Sequence, residues 1–401
     1  MTGDRSGAGR HVWVVNCGSS SLKFAVFGLD GAQVLATGLV ERIGAEGGRL
    51  RATWPGDRRT DEVACFSDHA EALRGVFTRL RDAGLAAPDV IGHRVVHGGE
   101  RFTGPTRIDA EVFLDLQRTI PLAPLHNPIN LAGIATARAQ FPDTPQVAVF
   151  DTAFHQTLPE SAWRYALPRD WHHRWGVRRY GFHGTSHGYV ARRAARWLGR
   201  APEDCNLISL HLGNGASAAA IEAGRSVETS MGFTPLEGLV MGTRCGDMDP
   251  AIPAYMERVA GLSPEQVDAD LNHESGLKAL CGDYDMRAIL ARSAAGDADA
   301  RLALDIYVHR IRKYLGAYLA VLGRVDAVLF TGGIGEHAAP VRAAICAGLE
   351  GLGLRLDPVA NAGVSTPEVA IHAADSPVAL LVIATDEERE IARQAVACLD
   401  A

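Results

Sequence analysis

Residues 11–27 read HVWVVNCGSSSLKFAVF, which is an apolar run, a short polar loop and a second apolar run. The first run, His11 to Asn16, is rich in Val and predicts a β-strand that stops at Cys17-Gly18-Ser19-Ser20-Ser21. Leu22 to Phe27 predicts a second strand, and Val34 to Leu39 predicts a third after a turn at Asp30-Gly31. The segment therefore predicts three successive strands with a polar loop between the first two.

The same order of elements returns in the second half of the chain. Asn206 to Leu210 is followed by the loop HLGNGAS at 211–217, by Ala218 to Glu222, by a turn at 223–225 and by Val227 to Thr229. Placing His211 over Asn16 needs no gap across the loop, at an offset of about 195 residues. Because the element order repeats, we predict a duplicated α/β fold in which each half presents one hairpin loop to a shared cleft.

Later strands also run into polar residues. Val147 to Phe150 predicts a buried strand that delivers Asp151 at its end. Val325 to Phe330 precedes Thr331-Gly332-Gly333-Ile334-Gly335 and a helix from about Ala338, and the free N–H groups of such a turn favour phosphate oxygens. Val378 to Ile383 precedes Thr385-Asp386-Glu387-Glu388, where Thr385 and Glu388 are spaced as a capping box for the last helix.

Composition excludes several classes of protein. The chain has 401 residues, 47% of them hydrophobic, which is enough for a large core and two domains. Its 47 acidic residues exceed its 40 basic residues, so the net charge does not indicate a nucleic-acid partner. No apolar signal core stands at the start, and no apolar stretch approaches the roughly 18 residues of a membrane span. With seven scattered cysteines and no C-x-x-C pair, we expect a soluble cytoplasmic protein with reduced thiols.

The polar segments indicate an anion site of an unusual kind. Neither the P-loop pattern nor the dinucleotide-binding pattern of glycines occurs in the chain. Glycine loops stand beside Arg94, Arg244 and the run RRYGFHGTSH at 178–187. A guanidinium group can bond two oxygens of a phosphate or carboxylate at once, so these residue types together predict a phosphate-binding site.

Eight motifs together resemble those of the acetokinase family. They are VVNCGSSSLK (14–23), HRVVHGG (93–99), APLHNP (123–128), FDTAFH (150–155), RRYGFHGTSH (178–187), HLGNGAS (211–217), GLVMGTRCGD (238–247) and TGGIGE (331–336). The resemblance runs from about residue 11 to 398 and implies a duplicated actin-like, ribonuclease H-like fold of the acetate and sugar kinase, heat-shock ATPase and actin superfamily. It also implies a flexible tail at 1–10, an N-terminal domain at 11–152 completed by a helix at about 385–401, and a nucleotide-binding domain at 153–384.

The resemblance implies a role for each matching residue. Catalysis would depend on Arg94, Asp151, His183, Asn214 and Arg244. The acid would lie against Arg94, Val96, Leu125, Phe182 and Pro235. ATP or ADP would bind to Ser19, Ser21, Lys23, His211, Leu212, Gly213, Asn214, Gly215, Asp285, Met286, Arg287, Gly332, Gly333, Ile334, Gly335, Glu336 and His337. Asn16 and Glu387 would position Mg²⁺, or Mn²⁺ in its place, directly or through water.

The implied reaction is the reversible transfer of the γ-phosphoryl group of ATP to acetate, giving acetyl phosphate and ADP, in a homodimer. A carboxylic acid is already ionised at pH 7, so its oxygen attacks without a general base. The task of the enzyme is then to neutralise the negative charge of the two substrates. We therefore expect direct in-line transfer without a phosphoenzyme. Propionate or another short-chain acid is the alternative substrate, because one methylene changes binding by only about 1 to 3 kcal/mol.

Other readings of the same residues stay open. His183 and His187 are spaced as zinc ligands, Ser186 with either of them fits a hydrolase, and the glycine loops alone also suit a sugar- or nucleotide-binding regulator. Ser19, Ser21, Lys23 and Asp151 also fit ordinary turn, strand or cap positions, and Asp386 and Glu388 compete with Glu387 for the metal.

Two residues depart from the family pattern. His337 stands where Asn is usual, which bears on the adenine contact. Cys17 replaces a frequent Ala beside the phosphate loop, so we expect its alkylation to inhibit the protein and ATP to protect it.

Overall fold

The computed structural model describes residues 11–29 and 33–400. The tail expected at 1–10 and the turn expected at Asp30-Gly31 lie outside the described residues. The chain forms two compact units, which we call the first unit (residues up to 153 together with those from 386 onward) and the second unit (154–385). None of the described helices combines the length and the apolarity that a bilayer crossing needs.

The described residues contain fourteen strands. They are β1 (His11–Cys17), β2 (Ser21–Gly28), β3 (Val34–Glu41), β4 (Arg49–Trp54), β5 (Arg58–Val63), β6 (Val90–Val95), β7 (Thr106–Arg107), β8 (Gln146–Phe150), β9 (Asn206–Leu212), β10 (Ala216–Glu222), β11 (Arg225–Thr229), β12 (Ala327–Thr331), β13 (Glu368–Ala370) and β14 (Ala379–Ile383).

Fifteen α-helices lie between and after these strands in the same part of the chain. They are α1 (His69–Asp82), α2 (Ala110–Arg118), α3 (Asn127–Gln140), α4 (Glu160–Trp163), α5 (Arg169–Trp175), α6 (Gly184–Trp197), α7 (Ala251–Ala260), α8 (Pro264–His273), α9 (Gly276–Cys281), α10 (Met286–Ala294), α11 (Ala298–Leu322), α12 (Gly332–His337), α13 (Ala339–Cys346), α14 (Pro358–Ala362) and α15 (Glu387–Asp400). Short 3-10 turns occupy Ile120–Leu122, Ala153–Thr157, Pro202–Asp204 and Glu350–Leu352.

The first unit is built on an eight-stranded sheet in the order β5-β4-β3-β2-β1-β6-β8-β7. β1 pairs with β2 antiparallel and with β6 parallel, and β6 pairs with β8 parallel. Alternate residues of β1 are buried on opposite faces: Trp13 packs in the core that holds α1, whereas Val14 packs in the core that holds Ile391 of α15. Helices therefore cover both faces of the central strands, which is why β1 is apolar without alternation.

The second unit repeats this plan with a six-stranded sheet in the order β11-β10-β9-β12-β14-β13. β9 pairs with β10 antiparallel and with β12 parallel, and β12 pairs with β14 parallel. The order β11-β10-β9-β12-β14 thus matches β3-β2-β1-β6-β8 in sequence and direction. The predicted duplication is confirmed, and it is the actin-like, ribonuclease H-like arrangement that the resemblance implies.

The capping box predicted at Thr385 and Glu388 is wrong. α15 begins at Glu387, and the Asp386 carboxylate accepts the N–H of Arg389 at 2.9 Å as its N-cap. The Thr385 hydroxyl lies 2.8 Å from Ser186 Oγ instead, and the Glu388 carboxylate bonds to Asn16. Asp386, one residue after Thr385, provides the cap, because the side chains of Thr385 and Glu388 form hydrogen bonds with other residues.

Candidate active site

In the first unit, an arginine and an aspartate meet where β6 and β8 end. The two strands are parallel, with Val95 opposite Phe150, so Arg94 and Asp151 lie at the same edge of the sheet. The Arg94 guanidinium donates from Nε to Asp151 Oδ1 at 3.0 Å and from Nη2 to Oδ2 at 2.6 Å. This two-pronged geometry fixes the plane of the guanidinium group.

A chain of polar contacts extends from this pair. Arg94 Nη1 donates to Asn16 Oδ1 at 3.2 Å, and Asn16 Nδ2 donates to Glu388 Oε1 at 2.9 Å. Burial opposes the charge of Arg94, but Asp151, and further off Glu387 and Glu388, more than offset this and raise its pKa above the ordinary value. These contacts use three of the five guanidinium N–H groups, so within the described residues two remain for a ligand.

The three acidic residues at the start of α15 have different surroundings. Asp386 caps the helix and pairs with Arg389, and Glu388 accepts from Asn16. Across the described chain, the Glu387 side chain accepts no hydrogen bond, although its negative charge contributes to the raised pKa of Arg94. Mg²⁺ prefers oxygen ligands such as carboxylates. Of the three acidic residues, Glu387 is the one whose oxygens accept no hydrogen bond from the described residues, so it is the one available to such an ion.

The residues predicted to bind phosphate at the loop between β1 and β2 and in β2 differ in their exposure. Ser19 is exposed, Ser21 is half-buried, and Lys23 lies opposite Asn16 in the β1–β2 register. Lys23 also lines a cavity of about 540 Å³ on the sheet face, together with Asp386 and Glu388.

Cys17 is buried, and burial raises the pKa of its thiol to about 12. Because the thiolate is the reactive form, the burial of Cys17 and the raised pKa of its thiol argue against the expected alkylation. The cysteine is a core residue of the first unit.

In the second unit, two cationic or polar groups converge on Gly215 of the loop between β9 and β10. A Cβ atom at Gly215 would stand 3.1 Å from Arg244 Nη2 and 3.2 Å from His183 Nε2. His183 directly precedes α6 with a left-handed backbone, φ 56°, which costs energy for a residue other than glycine. Such an outlier at a polar loop indicates a side chain held for function.

Arg244 is a cation without an acidic partner in the described chain. Its Nη1 donates to the carbonyl of Pro235 at 2.8 Å, and burial lowers its pKa. A partly buried guanidinium group with no carboxylate beside it favours an anionic ligand, since desolvation leaves the charge uncompensated.

The His183 ring stacks on that of His211, with 4.3 Å between centroids and 18° between planes. Asn214, at the tip of the same loop, is exposed, and its carbonyl accepts the N–H of Gly242 at 3.0 Å. The predicted residues His183, His211, Gly215 and Arg244 therefore lie together in the second unit. Leu212 and Gly213 continue the same hairpin, whose Gly213 N–H donates to the Gly215 carbonyl at 3.0 Å.

The structure argues against two of the alternative readings. His187 is buried, with Nδ1 2.9 Å from Ser209 Oγ and Nε2 3.1 Å from Ser217 Oγ, so neither nitrogen faces a metal. Ser186 is also buried, and the imidazole beside it belongs to His211 and not to His183 or His187. A nucleophile that no substrate can reach does not serve a hydrolase.

The predicted nucleoside-binding residues form two groups in the second unit. Gly332 has φ 75°, and a Cβ there would stand 2.7 Å from the Leu212 carbonyl oxygen, so only glycine fits. The Gly332 N–H donates to Glu336 Oε1 at 2.9 Å, so this amide already has a partner within the protein and is not available to a phosphate oxygen. Gly333, Ile334 and His337 are exposed or half-buried on α12, whereas Gly335 is buried against the Phe330 backbone.

The second group stands at the start of α10. Asp285 caps the helix and pairs with Arg287 Nη2 at 2.6 Å, and the hydrogen bonds from Arg287 lower the pKa of Asp285 to about 2. The Arg287 side chain is 91% exposed, and Met286 is buried between the two charged residues along the chain.

The residues predicted to hold the methyl group of the acid are divided between the units. In the first unit, Val96 is buried after β6 and Leu125 is exposed before α3. In the second unit, Phe182 is buried before His183, and Pro235 is half-buried beside Arg244.

Sequence reasoning missed the contacts of Ser186, Thr385 and Glu388. The motif HGTSH contains Ser186, but nothing in the sequence pairs this residue with His211, 25 positions away.

Comparison with known proteins identifies the family of the chain. The model of the acetokinase family matches residues 11–393. The acetate kinase of Streptomyces coelicolor is 57% identical over 392 residues, which covers 96% of each chain, and that of Helicobacter pylori is 48% identical over 391 residues, which covers 96% of this chain and 98% of the other. Among solved structures, the acetate kinase of Porphyromonas gingivalis is 41% identical with a TM-score of 0.90, over 97% of this chain and all of the other. A propionate kinase from Francisella tularensis is 41% identical with a TM-score of 0.91, over 96% and 98%.

Proposed function

The chain belongs to the acetokinase family, and from this we propose that it transfers the γ-phosphoryl group of ATP reversibly to acetate, giving acetyl phosphate and ADP. The relatives at 47% to 57% identity bear the name acetate kinase. The matching propionate kinase keeps propionate as the second candidate, since a pocket discriminates one methylene by only about 1 to 3 kcal/mol.

The observation that carries this proposal is Arg244, a partly buried guanidinium group with no carboxylate beside it in the described chain. It lies against Gly215 together with His183, so two donors face one point of the loop. A phosphoryl group in a loose transition state spreads negative charge over three oxygens, and such donors stabilise that charge.

The first unit supplies the groups that suit the carboxylate substrate. Asp151 holds the Arg94 guanidinium in one orientation and leaves two N–H groups for a carboxylate or phosphate. No general base is assigned, because the acid is ionised at neutral pH. We infer direct in-line transfer, which isolation of a kinetically competent, acid-labile phosphoenzyme would contradict.

A divalent cation fits the residues of the first unit. Glu387 keeps its carboxylate oxygens unused by the described residues, whereas Asn16 already accepts from Arg94 and is better suited to hold a water of the ion. We propose that Glu387 and Asn16 hold Mg²⁺, or Mn²⁺, in this way. The ion would neutralise phosphate charge when bound.

The second unit supplies the nucleotide-binding groups. We propose that the loop from His211 to Gly215 holds the phosphates of ATP, while Asp285 with Arg287, and the exposed edge of α12, hold the nucleoside. On α12 that edge consists of Gly333, Ile334 and His337. Glu336 holds the turn in place and does not contact the nucleotide itself, since its carboxylate already accepts the N–H groups of Gly332 and Thr385.

We also propose a homodimer that uses α7. This ten-residue helix has no buried residue, although Ile252, Tyr255 and Val259 are apolar or aromatic, with Tyr255 53% and Val259 65% exposed. Exposed apolar residues along one helix suit contact with a second copy. Sedimentation should show a dimer that Val259→Glu dissociates and Val321→Glu, at an isolated exposed site of α11, does not.

We place the protein in the cytoplasm. All seven cysteines are free thiols, which is the state that a reducing compartment maintains. Fractionation of the source cells tests this.

Trapping of acyl phosphate with hydroxylamine tests the activity. ATP, Mg²⁺ and acetate, propionate or butyrate are compared by kcat/KM, and acetate should give the highest value. Arg244→Ala should lower kcat/KM about 100- to 1000-fold, the usual cost of one oxyanion donor. Arg193→Ala, which removes a surface ion pair with Glu368, is the matched control and should leave the rate unchanged. Absence of acyl phosphate with every acid would overturn the proposal.

A further inference from the structure

Ser186 occupies an enclosed position in the first turn of α6, between two side chains of the same unit. Its Oγ lies 2.8 Å from His211 Nδ1 and 2.8 Å from Thr385 Oγ1, and the residue is fully buried. A hydroxyl group has a single proton, so it donates to one of these neighbours and accepts from the other. The direction of this donation determines which nitrogen of His211 bears the imidazole proton.

The other partner, Thr385, is itself held in place. Its backbone N–H donates to Glu336 Oε1 at 3.1 Å, and the same oxygen accepts the N–H of Gly332 at 2.9 Å. Glu336, Thr385, Ser186 and His211 therefore form one connected series from the α12 turn to the loop between β9 and β10.

The far side of His211 faces that loop. His211 Nε2 lies 3.9 Å from the place where a Cβ of Gly213 would stand. If Nδ1 carried the proton of a neutral ring, Nε2 would present a lone pair to bound phosphate oxygens and repel them. If Ser186 donates to Nδ1, Nε2 carries the proton and donates to phosphate.

We propose that Ser186 is a positioning residue for the kinase reaction: its hydroxyl donates to His211 Nδ1, accepts from Thr385, and so holds the His211 Nε2–H as a donor to the phosphates of ATP. This inference rests on the proposed function, because it needs the loop to bind nucleotide. Ser186 touches no substrate and acts through His211 alone.

Ser186→Ala tests the proposal by kinetics. It should raise KM for ATP about tenfold to a hundredfold, the range seen when a group that orients a ligating histidine is lost. KM for acetate should stay within about twofold, because the acid-binding residues are not in this series. Thr185→Val is the matched control: its hydroxyl is buried in the neighbouring position and has no hydrogen-bond partner in the described chain, so its removal should not raise KM for ATP.

Thr385→Val and Thr385→Ser guard against a folding defect at position 186. Valine keeps the shape of threonine but cannot donate to Ser186, so it should raise KM for ATP in the same direction as Ser186→Ala. Serine keeps the hydroxyl and should restore the wild-type value.

Nitrogen-15 spectra of histidine-labelled protein supply a readout that does not depend on activity. The wild-type His211 signal, assigned by its absence in His211→Asn, should show a proton on Nε2, and Ser186→Ala should give a mixture of the two tautomers. A proton on Nδ1 in the wild type, or unchanged KM for ATP in both Ser186→Ala and Thr385→Val, would overturn the inference. An inactive wild type that still shows the Nε2 proton would instead count against the proposed function.

Discussion

At the scale of single residues, the first unit fixes a cation and the second unit leaves one uncompensated. Arg94 donates two N–H groups along one edge of its guanidinium group to Asp151, whereas Arg244 makes one bond to a carbonyl and none to a carboxylate in the described residues. A fixed guanidinium group loses little entropy on binding an anion. A guanidinium group without a carboxylate partner is stabilised more strongly by the charge of the bound anion.

Arg94→Lys should lower kcat/KM about 100- to 1000-fold, although it keeps the positive charge. An ammonium group cannot bond both Asp151 oxygens in one plane, so it is not held toward the acid. The hydroxylamine assay measures the loss, and thermal unfolding checks that the variant is folded. Arg51→Lys, at an exposed position of β4, is the control. Equal activity of Arg94→Lys and wild type would contradict the importance of the two-pronged bond.

At the scale of elements, the turn between β12 and α12 depends on one glycine. Gly332 combines a positive φ with a backbone carbonyl 2.7 Å from the position of a Cβ. Neither the steric conflict nor the dihedral angle can be relieved by a side-chain rotation. The turn therefore has a single backbone solution.

Gly332→Ala should destabilise the protein by about 1 to 3 kcal/mol and raise KM for ATP, because the α12 edge moves. Gly333→Ala is the neighbouring comparison: a Cβ there meets nothing within 4 Å, so its stability should be equal to or slightly above that of the wild type. Urea unfolding of both variants measures the difference. Similar stability of the two variants would show that the turn tolerates a Cβ.

How far the sequence predicts these elements depends on what holds each one. β1 and β9 are buried on both sides, so their apolar runs are readable. β5 has no buried residue and is an exposed edge strand held by its hydrogen bonds to β4, so no apolar pattern marks it. Motif residues locate the polar loops, but the bond between Ser186 and His211 arises from packing of α6 on β9 and has no local signal.

At the scale of the whole molecule, acid should weaken both units. Burial lowers the pKa of His93, in the first unit, from 6.5 to about 4, and that of His155, in the second unit, from 6.5 to about 4. The unfolded chain takes up these protons near pH 6.5, whereas the folded chain does so only near pH 4. Stability from these groups is therefore complete above pH 6.5 and is lost as the pH falls toward 4.

Urea unfolding at pH 7.5 and pH 5 should show a lower free energy of unfolding at pH 5, by up to about 1.4 kcal/mol per pH unit below 6.5 for each histidine. His93→Gln removes one titrating group and should flatten this dependence. His173→Ala, which changes a residue on exposed α5, should not. A free energy that is equal at both pH values would contradict the burial of neutral imidazoles.

The packing of α15 has a consequence for the order in which the protein is made. Ile391, Ala392 and Ala395 of this helix cover Val12, Val14 and Val90 in the core of the first unit. On the ribosome, these early strands emerge several hundred residues before the helix that shields them, while the intervening second unit is translated in full. The nascent chain thus carries an open apolar sheet face until this helix has been made, and exposed apolar surface of this kind is prone to aggregate.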